Sequence, residues 1–247
     1  MSWTTRERAG VLLETRSLTM RFGGVVVVDN VNFSLGAGEL RCLIGPNGAG
    51  KSTFFKCLTR QYQPTGGRMM LHGEDITALS TYQIARLGVG IKTQVPSVFD
   101  GIPVQENVWV AARQRGDIRG ARRRADDTID RLNLGAIRDK LVGLLSHGQR
   151  QWVELAMVVA SGPDLILLDE PTAGMTQHEV MLTVDLIREI NRNAALIVVE
   201  HDMQFIKSIA ERVTVFHQGR ILVEDGVEAV MANEQVRDVY LGKQQAS

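Results

Sequence analysis

Aromatic residues are scarce in this 247-residue chain, at 5% of the total. A surface that stacks unpaired bases needs several of them, so binding of single-stranded nucleic acid is not expected. An excess of one charge is also missing. The 28 basic residues are matched by 28 acidic ones, leaving no net field to gather DNA or anionic lipid. Cysteine is reduced to Cys42 and Cys57. Without a CxxC pair or a Cys/His cluster, neither a disulfide framework nor a zinc site is supported, and a reducing, cytoplasmic setting fits better. Long apolar runs are lacking as well. Val25–Val28 and Leu165–Leu168 have the length of buried strands, far below the roughly 20 residues that span a bilayer. Met1–Gly10 lacks a signal peptide's apolar stretch. Any membrane role is expected to come through a partner.

The pattern of what is present divides the chain into thirds. Val11–Thr15, Val25–Val28, Val31–Leu35 and Leu40–Ile44 read as short strands separated by glycine turns. Ser52–Thr59 then reads as helix and Arg68–Leu71 as a further strand. The middle third is helical over Val104–Arg113 and Arg119–Leu134, with Ala125, Ile129 and Leu132 on one face. The triplet Arg122-Arg123-Arg124 is read as a solvated helix face, because Asp126, Asp127 and Asp130 follow it. The last third alternates strand and helix: Leu165–Leu168, His178–Asn191, Leu196–Val199, Met203–Glu211, Val213–Phe216. That order predicts βαβ units and a parallel sheet. Two short helices, Val227–Ala232 and Glu234–Leu241, are expected in the tail.

Gly45-Pro46-Asn47-Gly48-Ala49-Gly50-Lys51-Ser52, followed by Thr53, matches G-x-x-x-x-G-K-[ST] between a strand and a helix. Glycines let successive backbone N–H groups converge on phosphate oxygens, and the helix start directs its dipole at the same anion. Lys51 is expected to reach the β- and γ-phosphates of ATP, and the Ser52 hydroxyl to meet Mg²⁺. Leu165–Leu168 delivers Asp169 and Glu170 to a sheet edge. Asp169 is the candidate metal acid and Glu170 the candidate for polarising water. Ala195–Val199 ends in Glu200-His201-Asp202, and His201 is read as a sensor of the γ-phosphate. Gln94 follows the predicted strand Val89–Thr93; the residues alone do not separate a hinge from an ordinary loop glutamine. Ser146 and Gln149 have capping-box spacing at the head of a helix that runs to about Ser161. The same helix start could bind an anion.

In this order the motifs resemble an ATPase subunit of the ABC transporter family, over about Val11 to Gly242. The resemblance implies an α/β fold: a P-loop NTPase core whose mixed sheet carries parallel RecA-like strands, an N-terminal antiparallel β region, and a helical subdomain at about 95–162. A single domain over 1–247 with a helical tail from about 226 is implied. It further implies that Phe22 stacks on adenine, that Ser52, Gln94 and Asp169 serve Mg²⁺, that Glu170 is catalytic, and that His201 is a switch. Subunits of the family pair head to tail. Ser146, Gly148 and Gln149 would then meet the γ-phosphate held by a second ATPase subunit, either another copy or a related chain. Transmembrane permease subunits, and indirectly a periplasmic solute-binding protein, are the implied partners at the cytoplasmic face of the inner membrane. Nucleic acid is not expected as a partner.

Arg21–Gly24, Glu200–Met203 and Val236–Gly242 look like the branched-chain amino acid uptake branch, while Leu145–Gln149 and Ala173–Thr176 are similar to its urea- and amide-importing members. An exporter ATPase, or a cassette protein acting on DNA or ribosomes, is the alternative. Two positions depart from the family: His147 replaces a usual glycine and Thr176 a usual aspartate.

Overall fold

A computed structural model describes residues 10–93, 95–115 and 118–241. Strands β1 (Val11–Phe22), β2 (Val25–Gly36), β4 (Gly66–Leu71) and β5 (Glu74–Asp75) form an antiparallel sheet in the order β2-β1-β4-β5. A second sheet contains β3 (Leu40–Ile44), β6 (Val89–Lys92), β7 (Leu165–Asp169), β8 (Ala195–Val199), β9 (Arg212–His217) and β10 (Arg220–Gly226), in the order β10-β9-β3-β8-β7-β6. Its pairings are parallel except for the β9–β10 hairpin. The helices are α1 (Lys51–Leu58), α2 (Thr81–Arg86), α3 (Val104–Ala112), α4 (Ile118–Arg131), α5 (His147–Ala160), α6 (Gln177–Asn191), α7 (Met203–Ile209), α8 (Val227–Ala232) and α9 (Glu234–Leu241).

Strand alternation sends the apolar residues of the second sheet into two cores. Leu40, Cys42, Ile44, Ile166, Leu168, Leu196 and Val198 face α3–α7. Leu43, Leu165, Leu167, Ala195, Ile197 and Val199 face α1 and the antiparallel sheet. Burial on both sides explains why these strands read as unbroken apolar runs. In the second core Phe54 packs edge-on to Phe33, with centroids 5.6 Å apart, and tilted on Phe216 at 5.1 Å. Ala125, Ile129 and Leu132 are buried, as their spacing predicts. Arg122 and Arg123 are exposed and paired with Glu106 and Asp127. Arg124 departs from the solvated-face reading: it is half-buried, and its guanidinium donates to the Ala112 carbonyl at the end of α3 (2.8 Å).

Several elements differ from expectation. The first strand runs on to Phe22 through register shifts around Ser17, which takes a positive φ of 48°. The two short strands expected over residues 25–35 are one strand, β2, bent at Asn30 (φ 50°), whose N–H donates to Thr19 Oγ1 (3.2 Å). Such bulges re-aim a strand without ending it. The short helix α2 and the strand β10 were not anticipated. Among the described residues no helix is long and apolar enough to cross a membrane.

Both cysteines are fully buried, one in each core. Burial raises both thiols, that of Cys57 to about 11. A thiol reagent is therefore expected to leave the native chain unlabelled at neutral pH and to modify both sites on denaturation. Rapid labelling of the native fold would contradict this packing.

Candidate functional site

Parallel register aligns the ends of four strands. Leu43 and Asp169 both pair with Val199, and Lys92 pairs with Leu168. The chain therefore leaves β3, β6, β7 and β8 along one edge, where open α/β sheets bind ligands. Gly45 starts the loop after β3 at φ 145°, and a Cβ there would lie 2.2 Å from the Phe216 carbonyl oxygen. The loop closes on itself through Ala49 N–H to Pro46 O (3.1 Å) and is tied to the hairpin by Gly219 N–H to Ala49 O (2.9 Å). Lys51 Nζ donates to the carbonyls of Gly45 (2.6 Å) and Pro46 (3.0 Å), which holds its ammonium over the loop. Asn47, Gly48, Gly50 and Thr53 complete the loop and the first turn of α1.

Ser52, Lys56, Thr93 and Asp169 line one cleft beside this loop. Burial, then the charge of Glu170, raises the Asp169 carboxyl, with Lys56 and Lys92 opposing. Asp169 Oδ1 is buried and has no hydrogen-bond partner among the described residues. A hydroxyl and an unsatisfied carboxylate oxygen in one cleft suit a hard, oxygen-seeking cation such as Mg²⁺. Gln94 lies outside the described residues. Just before it, Lys92 is buried 3.8 Å from Glu154 of α5, and Glu154 Oε1 accepts from Ser97 N–H (3.0 Å). Burial pushes the Lys92 pKa down and that of Glu154 up.

Glu170 has the left-handed φ of 45°, and its N–H donates to Val199 O (2.9 Å). This conformation is costly for a residue with a Cβ and persists where surroundings hold it. His201 Nδ1 lies 3.7 Å from Glu170 Oε1 and 3.7 Å from Glu200 Oε2. The carboxylate of Glu200 is buried beneath them and accepts from Thr172 and from the His201 N–H. Sequence reasoning assigned no role to Glu200 or Thr172; the signal available was an acid continuing an otherwise apolar strand.

Ser146, Gly148 and Gln149 do not join this edge. They open α5 against the loop that leads into α6. Ser146 and Gln149 form the expected capping box. The Ser146 hydroxyl also donates to Glu179 Oε1 (2.9 Å), while Glu179 Oε2 accepts from Thr176 N–H (2.9 Å) and its hydroxyl (3.0 Å). The Glu179 carboxylate sits so close to Gly148 that a Cβ there would fall 2.4 Å from Oε1. His147 Nε2 lies 3.1 Å from the Ala173 carbonyl oxygen, and Trp152 Nε1 donates to Thr183 Oγ1 (2.9 Å). Phe22, 43% exposed, is braced edge-on by Tyr62 at 5.3 Å.

A glycine-rich G-x-x-x-x-G-K-S loop between strand and helix, beside an acidic parallel-strand edge, is the pattern of a P-loop nucleoside triphosphatase. The sequence pattern of the ABC transporter family matches residues 28–173. The chain belongs to that family. It is 36% identical to the high-affinity branched-chain amino acid transport ATP-binding protein LivG of Escherichia coli, over 94% of this chain and 98% of the relative. It is 34% identical to the lipopolysaccharide export system ATP-binding protein LptB of Haemophilus influenzae, with the same coverage. The solved ATP-binding cassette MJ1267 shares the fold, with a TM-score of 0.84 at 24% identity over 94% of this chain and 99% of that one. The chain thus binds and hydrolyses ATP as the ATPase subunit of a transporter.

Replacing Lys51 with Ala removes the cation held over the loop. Calorimetry is expected to show Mg·ATP affinity reduced by about tenfold or more. Unchanged affinity would remove the loop from the nucleotide site.

Proposed function

We propose that this chain drives an importer of a small polar solute, with urea, a short-chain amide or a branched-chain amino acid as the cargo. The ATPase that would drive it rests on the meeting of the Gly45–Thr53 loop, Asp169-Glu170 and His201 at one sheet edge. The likeness to a branched-chain amino acid transport subunit supports the direction of transport.

Loop amides and Lys51 bind the phosphates, and the exposed face of Phe22 receives the adenine. Ser52, Asp169 and Gln94 would hold Mg²⁺, which would supply positive charge against the phosphates of the nucleotide. Glu170 orients the attacking water and takes its proton, while His201 contacts the γ-phosphate. A second ATPase subunit, the same or related, presents its own Ser146, Gly148 and Gln149 to that phosphate. ATP shared in this way favours the closed pair over the open one, and that difference in affinity performs the work. Permease subunits receive the motion through the helical region at about 95–162, at the cytoplasmic face of the membrane, and a periplasmic solute-binding protein supplies the cargo to them.

Glu170→Gln is expected to keep Mg·ATP binding and to lower turnover by about a hundredfold or more. Wild-type turnover would discard Glu170 as the base. The 34% identity to a lipopolysaccharide export subunit favours the second reading, an exporter. Proteoliposomes with this chain and ATP inside, its co-isolated membrane subunits in the bilayer and the solute-binding protein outside are expected to take up labelled leucine, urea or acetamide. ATP-driven movement of lipopolysaccharide instead would support the exporter.

A further inference from the structure

Burying a carboxylate is unfavourable unless donors surround it, and Glu200 is 2% exposed at the end of β8. Its two oxygens serve two different loops. Oε1 accepts from the Thr172 hydroxyl (2.5 Å) and the Thr172 N–H (3.3 Å), in the turn that follows Glu170. Oε2 accepts from the His201 N–H (2.9 Å) and faces the Asp202 N–H at 3.5 Å. One rigid group thus joins the segment carrying Glu170 to the segment carrying His201.

Both of those residues need such support. Glu170 stands at φ 45°, a conformation that its own side chain disfavours. The turn behind it is closed by Ala173 N–H to Glu170 O at 3.2 Å, and Thr172 lies inside that turn. The His201 side chain is 73% exposed, so packing fixes it little and its direction follows from its backbone. That backbone is the part Glu200 holds.

We infer that Glu200 is a positioning residue for ATP hydrolysis: its buried carboxylate clamps Thr172 to the His201 backbone and so fixes the separation of Glu170 and His201. The inference rests on the reading of Glu170 as the base. Glu200 itself touches no substrate, and its influence passes through the two loops. A small displacement of a base from its water is enough to slow a reaction that depends on orientation, whereas phosphate binding by the Gly45–Thr53 loop does not require the clamp.

The test compares Glu200→Gln, Thr172→Val and the double variant of the full chain, measuring turnover at saturating Mg·ATP, calorimetric Mg·ATP affinity and melting temperature. Glu200→Gln is expected to lower kcat by about tenfold or more while the Mg·ATP Kd changes by less than about threefold. Thr172→Val should lower kcat in the same direction, and the double variant should be no worse than the more impaired single variant, since both break one clamp. A kcat within about twofold of wild type in folded Glu200→Gln overturns the inference. So does a loss of kcat matched by an equal loss of nucleotide affinity, the result of a general structural role. If Glu200→Gln does not fold, Thr172→Val decides alone: wild-type kcat overturns the clamp and a selective fall in kcat supports it. Wild-type turnover in Glu170→Gln would remove the base but leave the clamp to be judged on the Glu200 and Thr172 rates.

Discussion

The site depends on register. Because β3, β7 and β8 run parallel and in step, Ile44, Asp169 and Val199 end at one edge, and whatever follows them is gathered there. The apolar alternation that fills two cores also sets this register. Slipping a strand by one residue would send each core's side chains into the other core and undo the packing of both. Packing energy therefore protects the geometry of groups that contribute nothing to packing.

Charge shapes the same edge. Asp169, Glu170 and Glu200 bring three carboxylates close together; burial raises the Asp169 carboxyl most, and the charges of Glu170 and Glu200 add to the shift. The charges of Lys56 and Lys92 oppose them. Glu200 is satisfied by backbone and hydroxyl donors, whereas the inner oxygen of Asp169 has none among the described residues. Neighbouring acids are thus separated into one that is structurally committed and one that is open to a cation.

Legibility in the sequence followed from how local each requirement is. The strand–loop–helix at Gly45–Thr53 was readable because its motif is contiguous, and the Ser146–Gln149 box because capping acts across one turn. The α/β core followed from the apolar runs that two-sided burial requires. The length of β1 was hidden by Glu14, Arg16 and Ser17; Glu14 and Arg16 face solvent as an ion pair and interrupt the apolar pattern. Helix α2 carries its capping signal at Ser80 and Gln83 but buries only Ile84, too little to register as periodicity. Glu200 was illegible for a different reason. Its partner Thr172 is 28 residues away, so its burial is a property of the assembled sheet edge. Glu179 is similar: its bond to Thr176 is local, but that to Ser146 spans 33 residues.

The contacts at the head of α5 have a mechanical consequence. Ser146 to Glu179, His147 to Ala173 and Trp152 to Thr183 all join the first turns of this helix to one stretch of chain, residues 173–183. That stretch begins three residues after Glu170. If α5 swivels with these bonds intact, the stretch travels with it and pulls on the strained turn at Glu170. If α5 swivels alone, the three bonds break together. Any swivel of α5 would therefore be geared to the turn at Glu170 through this stretch, and His147, in a position where glycine would offer no side chain, adds a tooth to the gear.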